Sequence, residues 1–130
     1  MVVPPDVKRE LAEHAHAEAP NEACGLLVLE DGVARRYVRG RNVAASPYRF
    51  ELEIEPETWF LEDEDAQLAV FHSHLTSPPR PSRTDVENIG LWEGRPYFIY
   101  TVRTDELAAW RISKGGVEAL PLTLPGPEPR

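Results

Sequence analysis

The chain is short of several things at once. Only one of its 130 residues, Cys24, is a cysteine. That excludes an intrachain disulfide and any Cys-x-x-Cys metal or redox motif. It fits a reducing compartment, so a cytoplasmic location is the expectation. No apolar run approaches the roughly 18 residues of a membrane-spanning helix, and no membrane partner is expected. The opening stretch Met1-Val2-Val3-Pro4-Pro5-Asp6 lacks the apolar segment of a signal peptide. Cationic charge is scarce: 14 Lys and Arg stand against 22 Asp and Glu, for a formal net charge of -8. Such a surface argues against nucleic acid as a partner, because nonspecific binding needs Lys and Arg facing phosphate. The acidic run Glu62-Asp63-Glu64-Asp65 reads as a solvated face or loop, with a patch for a basic partner as the alternative.

What is present suffices for one folded domain. The length buries a single core without staples, and 42% hydrophobic with 28% charged residues is an ordinary globular balance. Val7, Leu11 and Ala15 keep a helical rhythm after Pro4-Pro5, with Asp6 as the expected cap and Pro20-Asn21 as the stop. Cys24 to Leu29 and Val33 to Val38 read as strands around an Asp31-Gly32 hairpin. Arg41 to Pro47 reads as loop and Tyr48 to Ile54 as a strand. Pro56 starts a second helix through Leu61. Gln67 to His74 is a short continuous apolar run, the pattern of a buried central strand. The three prolines between Thr76 and Pro81 require a loop, and Ser82 to Trp92 reads as one helix ended by Gly94. Pro96 to Val102, Leu107 to Ile112 and Val117 to Leu122 complete the strands. This order predicts an α/β (α+β-like) fold, a mixed β-sheet flanked by helices. The domain is expected over residues 1–122, with 123–130 as a flexible C-terminal tail.

The chemistry concentrates in His72-Ser73-His74, followed after seven residues by Ser82-Arg83-Thr84-Asp85. A catalytic zinc takes three protein ligands and keeps one position open for water. Two histidines at i and i+2 on a strand face the same way, with Cβ atoms roughly 6.5–7 Å apart. Two imidazoles can converge on one ion from there. The proline-rich loop returns the chain to offer Asp85 as the third ligand. Hydrolysis of a peptide bond also needs a proton carrier. Glu22, just ahead of the Cys24 strand, is the best placed carboxylate, although spacing alone leaves a solvated loop acid equally open. Ser82 can donate to a developing oxyanion. It also begins a Ser-x-x-acid capping pattern.

His72, His74, Ser82 and Asp85 together match the JAMM pattern, His-x-His, seven residues, Ser-x-x-Asp, without a gap. Asn21-Glu22-Ala23-Cys24-Gly25-Leu26-Leu27 resembles the upstream segment of that family, also called MPN-plus, and Pro81 to Asp85 resembles its compact prokaryotic members. The resemblance spans nearly the whole chain. It implies a fold related to the cytidine deaminase architecture, and one Zn2+ with a bound water held by His72, His74 and Asp85. It further implies Glu22 as general acid/base, Ser82 as oxyanion donor, and a ubiquitin-like sulfur-carrier protein or its conjugate as substrate, cut after its C-terminal Gly-Gly. A non-catalytic MPN-fold binding or scaffold module is the alternative. Against a deaminase, the chain has no His-x-Glu with Cys-x-x-Cys. Other residues receive plainer readings. Cys24 is a small buried thiol, Ser73 is structural, and His14 and His16 are surface residues of the first helix. Trp59, Trp92 and Trp110 are packing residues. Leu75 borders the substrate groove. Arg80 and Arg83 are loop arginines beside the site, with a grip on a substrate carboxylate as the alternative.

Overall fold

The computed structural model describes residues 1–126. Helix α1, Pro5–Glu18, starts behind Pro4, and its Val7, Leu11, His14 and Ala15 form one buried stripe. Asp6 is not the cap. It sits inside the first turn, where its Oδ1 accepts from the Val7 N–H and its charge complements the helix N-terminus. Strands β1 (Cys24–Glu30) and β2 (Val33–Arg39) form the expected hairpin. Asp31 and Gly32 both take positive φ, 50° and 74°, the two left-handed residues that such a tight turn requires.

A short ribbon follows, β3 (Arg41–Asn42) against β4 (Leu52–Glu53). It replaces most of the strand expected from Tyr48 to Ile54, because the side chain of Asn42 takes the backbone groups of the intervening loop. A 3-10 helix over Pro56–Leu61 stands where an α-helix was expected. Next come β5 (Ala66–His74), α2 (Arg83–Glu87), β6 (Pro96–Thr101), β7 (Glu106–Ser113) and β8 (Gly116–Leu120). The helix expected from Ser82 to Trp92 is broken. After α2, Gly90 adopts φ +54°, a conformation that favours glycine, and a separate 3-10 turn then carries Trp92 into the core.

The six-stranded sheet runs β2-β1-β5-β6-β7-β8, with β5 and β6 parallel and every other pair antiparallel. Both faces are covered. On one, α1 packs through Val7 and Leu11 over Leu27, Phe71, Phe98 and Tyr100. On the other, Leu26, Leu68, Val70, Tyr97 and Ile99 meet Trp92 and Val86. Strand alternation places Leu68, Val70, His72 and His74 on this second face. Thr123, at the start of the expected tail, exchanges backbone hydrogen bonds with the Met1–Val3 segment (3.1 and 2.8 Å). Residues 127–130 lie outside the described residues. Among those described, no helix is long and apolar enough to cross a membrane.

His14 is a correction to the sequence reading. It is only 3% exposed, and its Nδ1 meets the Tyr37 hydroxyl at 2.6 Å. Gly25 makes this approach possible, since a Cβ there would stand 2.5 Å from the Tyr37 hydroxyl. Burial, with help from the Arg39 charge, lowers the His14 pKa below its ordinary 6.5. The unfolded chain therefore binds a proton that the folded chain refuses, and stability must fall as pH drops through the range below 6.5. Chemical denaturation between about pH 5 and 7 is expected to show that fall, and His14→Gln should flatten it. An identical slope in both proteins would mean that other groups carry the dependence.

Candidate metal centre

The C-terminal end of the apolar strand β5 presents two imidazoles to one point. His72 is fully buried. Its ring is stacked on Phe50 (centroids 4.7 Å, 20° between planes) and met edge-on by Tyr97 at 5.3 Å. The Nε2 atoms of His72 and His74 stand 3.1 Å apart. His74 Nδ1 lies 2.9 Å from the Pro78 carbonyl. A carbonyl can only accept, so Nδ1 carries the hydrogen and a neutral His74 turns the Nε2 lone pair inward. The proline-rich loop is itself held down. Thr101 Oγ1 donates to Ser77 O at 2.6 Å, and Trp110 Nε1 donates to Pro79 O at 2.7 Å.

Beyond the loop, α2 opens with a reciprocal cap. Asp85 N–H donates to Ser82 Oγ at 3.0 Å, and Ser82 N–H donates to Asp85 Oδ2 at 2.8 Å. The same Oδ2 lies 3.3 Å from Nε2 of both His72 and His74. Ligand atoms bound at about 2.0–2.2 Å around a tetrahedral ion are roughly 3.3–3.6 Å apart, so these three atoms already have the spacing of a metal site. Glu22 closes the group. It is 3% exposed, its Oε1 is 3.9 Å from His72 Nε2, and that oxygen has no hydrogen-bond partner among the described residues. Glu22, His72 and His74 offer atoms within 4.8 Å of one another. All five residues singled out in the sequence therefore meet at one place.

The carboxyls there are pushed in opposite directions. Burial, reinforced by the charge of Asp85, raises Glu22 to about 8. Burial would also raise Asp85, but the two imidazoles and the Ser82 N–H hold it well below the usual carboxylate range. Burial keeps His72 low. Burial acts the same way on His74, yet the Asp85 carboxylate and the Pro78 carbonyl together outweigh it and raise the pKa. One acid thus stays ionised and anchored while the other holds a proton near neutrality, which is the division of labour that hydrolytic sites use.

Two hollows flank the group. One of about 290 Å³ is lined by Glu22, Tyr48, His74, Leu75, Ser82 and Thr84. The other, about 360 Å³ and more apolar, is lined by Phe50, Trp59, Asp85, Leu91 and Tyr97 among others. Arg80 lies over the Trp110 ring, and Arg83 stands exposed at the surface in a pair with Glu87. Cys24 is buried, with its thiol pushed up to about 12 by burial and the Glu22 charge, and offers no nucleophile. Ser73 is buried and accepts from the Ala23 N–H. Half of the acidic run is structural: Glu62 binds Arg95, and Asp63 accepts from the Asp65 and Ala66 N–H groups. Sequence reasoning missed Phe50 and Asn42. Nothing in their spacing marks a loop aromatic as the cover of a buried histidine.

A family model described as prokaryotic homologs of the JAB domain matches residues 4–113. The CysO-cysteine peptidase of Mycobacterium tuberculosis is 30% identical over 133 residues, covering 95% of this chain and 90% of its own. The desampylase of Pyrococcus furiosus is 29% identical over 97 residues, covering 72% of this chain and 68% of its own. Among solved structures, protein DSY2949 of Desulfitobacterium hafniense superposes with a TM-score of 0.77 at 27% identity, covering 96% of this chain and 93% of its own. AF2198, a JAB1/MPN domain protein of Archaeoglobus fulgidus, shares the fold with a TM-score of 0.66 at 18% identity, over 95% of this chain and 98% of its own.

The reciprocal cap has a measurable worth. Ser82→Ala should lower the unfolding free energy by about 1 kcal/mol, and Ser82→Asn, an equally good cap, should recover most of it. Equal losses in the two variants, read by denaturant titration, would show that Ser82 stabilises by packing and not by capping.

Proposed function

The chain belongs to the family of prokaryotic JAB-domain homologs, and on that premise we propose that it is a zinc-dependent peptidase or isopeptidase. Its substrate in this reading is a ubiquitin-like sulfur-carrier protein, cut after the C-terminal Gly-Gly. One observation carries the proposal: two imidazole nitrogens and a carboxylate oxygen lie 3.1–3.3 Å from one another, beside a buried carboxyl with an unpartnered oxygen. A chain that only bound partners would have no use for burying that carboxyl, since burial disfavours its charged form and an unpartnered polar atom destabilises the fold. A relative whose match covers 95% of this chain is named a CysO-cysteine peptidase, which supports the substrate class.

In this reading His72, His74 and Asp85 hold the metal. Asp85 is preferred to Glu22 as third ligand because its oxygen is nearer, 3.3 against 3.9 Å from His72 Nε2, and because it stays ionised. Zinc held there would supply Lewis acidity, lowering the pKa of a water toward about 7 and polarising the scissile carbonyl. In its ionised form, which the charge of a bound cation would favour, Glu22 Oε1 would accept a proton from the attacking water and deliver it to the leaving amine. A proton affinity near neutrality lets one group do both. Ser82 Oγ accepts from the Asp85 N–H with a lone pair, which leaves its O–H free to donate to the developing oxyanion. Phe50 and Tyr97 fix the His72 ring and exclude water from it. A Gly-Gly terminus suits the site, since a residue without side chain lets the backbone come close to the metal.

The direct test incubates zinc-loaded protein with a sulfur-carrier protein bearing an extra cysteine, or an isopeptide-linked lysine, after Gly-Gly, and reads product masses. Release by wild type is expected, with the preferred adduct choosing between the two reactions. Glu22→Ala should retain zinc and lose about 10²–10⁴-fold in rate, while His74→Ala should lose stoichiometric zinc as measured by elemental analysis. Stoichiometric zinc without any cleavage would discard the substrate class and leave the metal ligands standing.

A further inference from the structure

We infer that Asn42 is a positioning residue for Glu22, an inference that rests on the proton-carrying role proposed above. Glu22 lies between α1 and β1, outside any regular ladder, and among the described residues no hydrogen bond holds its side chain. The carboxyl is therefore aimed by its backbone and its packing. That backbone is tied at both polar groups to a single loop. The Glu22 N–H donates to Ser46 O at 2.9 Å, and the Glu22 carbonyl accepts from Asn42 Nδ2 at 3.0 Å. The next residue is tied from the opposite side. Ala23 N–H donates to Ser73 Oγ at 2.8 Å, and Ser73 N–H returns a bond to Ala23 O at 3.0 Å. Ser73 stands between the two histidines, so it sets the position of this segment along β5, and the loop sets the rest.

The loop in turn is organised by the same amide. Asn42 Nδ2 also donates to Arg49 O at 3.1 Å, while Oδ1 accepts from the Ala44 N–H at 3.1 Å and the Glu51 N–H at 3.0 Å. Both donors meet carbonyls and the oxygen meets two N–H groups, which fixes the orientation of the amide and leaves it no spare capacity. An asparagine that only closed a turn would bond its own loop. This one commits a donor to a residue 20 positions earlier, the one whose carboxyl must be aimed. A misplacement of about 1 Å at a catalytic group can cost about 10²-fold in rate.

The experiment uses the zinc-loaded protein, the cleavage assay above and amide hydrogen exchange. Asn42→Ala should lower kcat by about 10²-fold with KM within about threefold and zinc content unchanged. The Glu22 amide should exchange at least about tenfold faster, with β1 and β5 amides unaffected. Asn42→Asp keeps the two N–H contacts but sets an oxygen against the Glu22 and Arg49 carbonyls, so it should fail with Ala, and full activity in Asn42→Asp would overturn the inference. In a Glu22→Ala background, Asn42→Ala should add no further loss. An unchanged kcat, an additive loss in that background, or an unaltered Glu22 amide would each overturn the inference. If wild type cuts no Gly-Gly conjugate, the functional reading falls separately, and the exchange rates still decide whether Asn42 holds Glu22.

Discussion

Strand β5 is gripped along both edges, antiparallel to β1 and parallel to β6, and the rest of the site is placed by reference to it. Its alternation puts Ala69, Phe71 and Ser73 toward α1 and Leu68, Val70, His72 and His74 toward the other layer. The two imidazoles are thus extensions of a packed core face, with no freedom to turn away. Ser73, between them, reaches the segment that bears Glu22. A parallel neighbour also demands a long crossover, and that crossover is what brings the proline loop and Asp85 back over the strand end.

Such a site is assembled against the interest of stability. Burial opposes charge on Glu22, His72 and His74 alike, and like charges of two carboxyls add to the cost. The fold offsets this with hydrogen bonds that serve geometry first: the Pro78 carbonyl on His74, the Ser82–Asp85 cap, and the two ties on the loop before α2. A bound cation would turn the same arrangement from costly to favourable, which couples metal binding to folding and to proton release.

Much of this was legible in the sequence because it depends on short-range periodicity. The His-x-His spacing, the return to Ser-x-x-Asp, the Asp-Gly hairpin and the apolar run of β5 each follow from local geometry, and the structure places all five site residues together. What escaped was tertiary. Whether Gly90 stays helical is decided by how Trp92 reaches the core, so the helix expected over 82–92 split in two. His14 lies on the buried stripe with Leu11 and Ala15, yet its polarity pointed outward until Tyr37 supplied a partner across from Gly25. The Tyr48 to Ile54 strand lost most of its length because one side-chain amide, Asn42, outcompeted ladder pairing. Phe50 could not be read at all, since its neighbour in space is 22 positions away along the chain.

The loop between β3 and β4 carries Tyr48 into one hollow and Phe50 into the other, yet contributes no residue to the proposed ligand set and none to the six-stranded sheet. It is tied to the main fold at Ser46, whose carbonyl accepts from the Glu22 N–H, and at Phe50, which stacks on His72, while Tyr48 between these ties stands exposed. Substitutions at Tyr48 can therefore remodel one bank of the cleft while the ties that hold Glu22 and His72 stay as they are. Lineages of this fold have at this one position a place where selectivity can drift without activity being lost, and differences in substrate taste between otherwise similar chains should accumulate there before they reach the tied residues on either side.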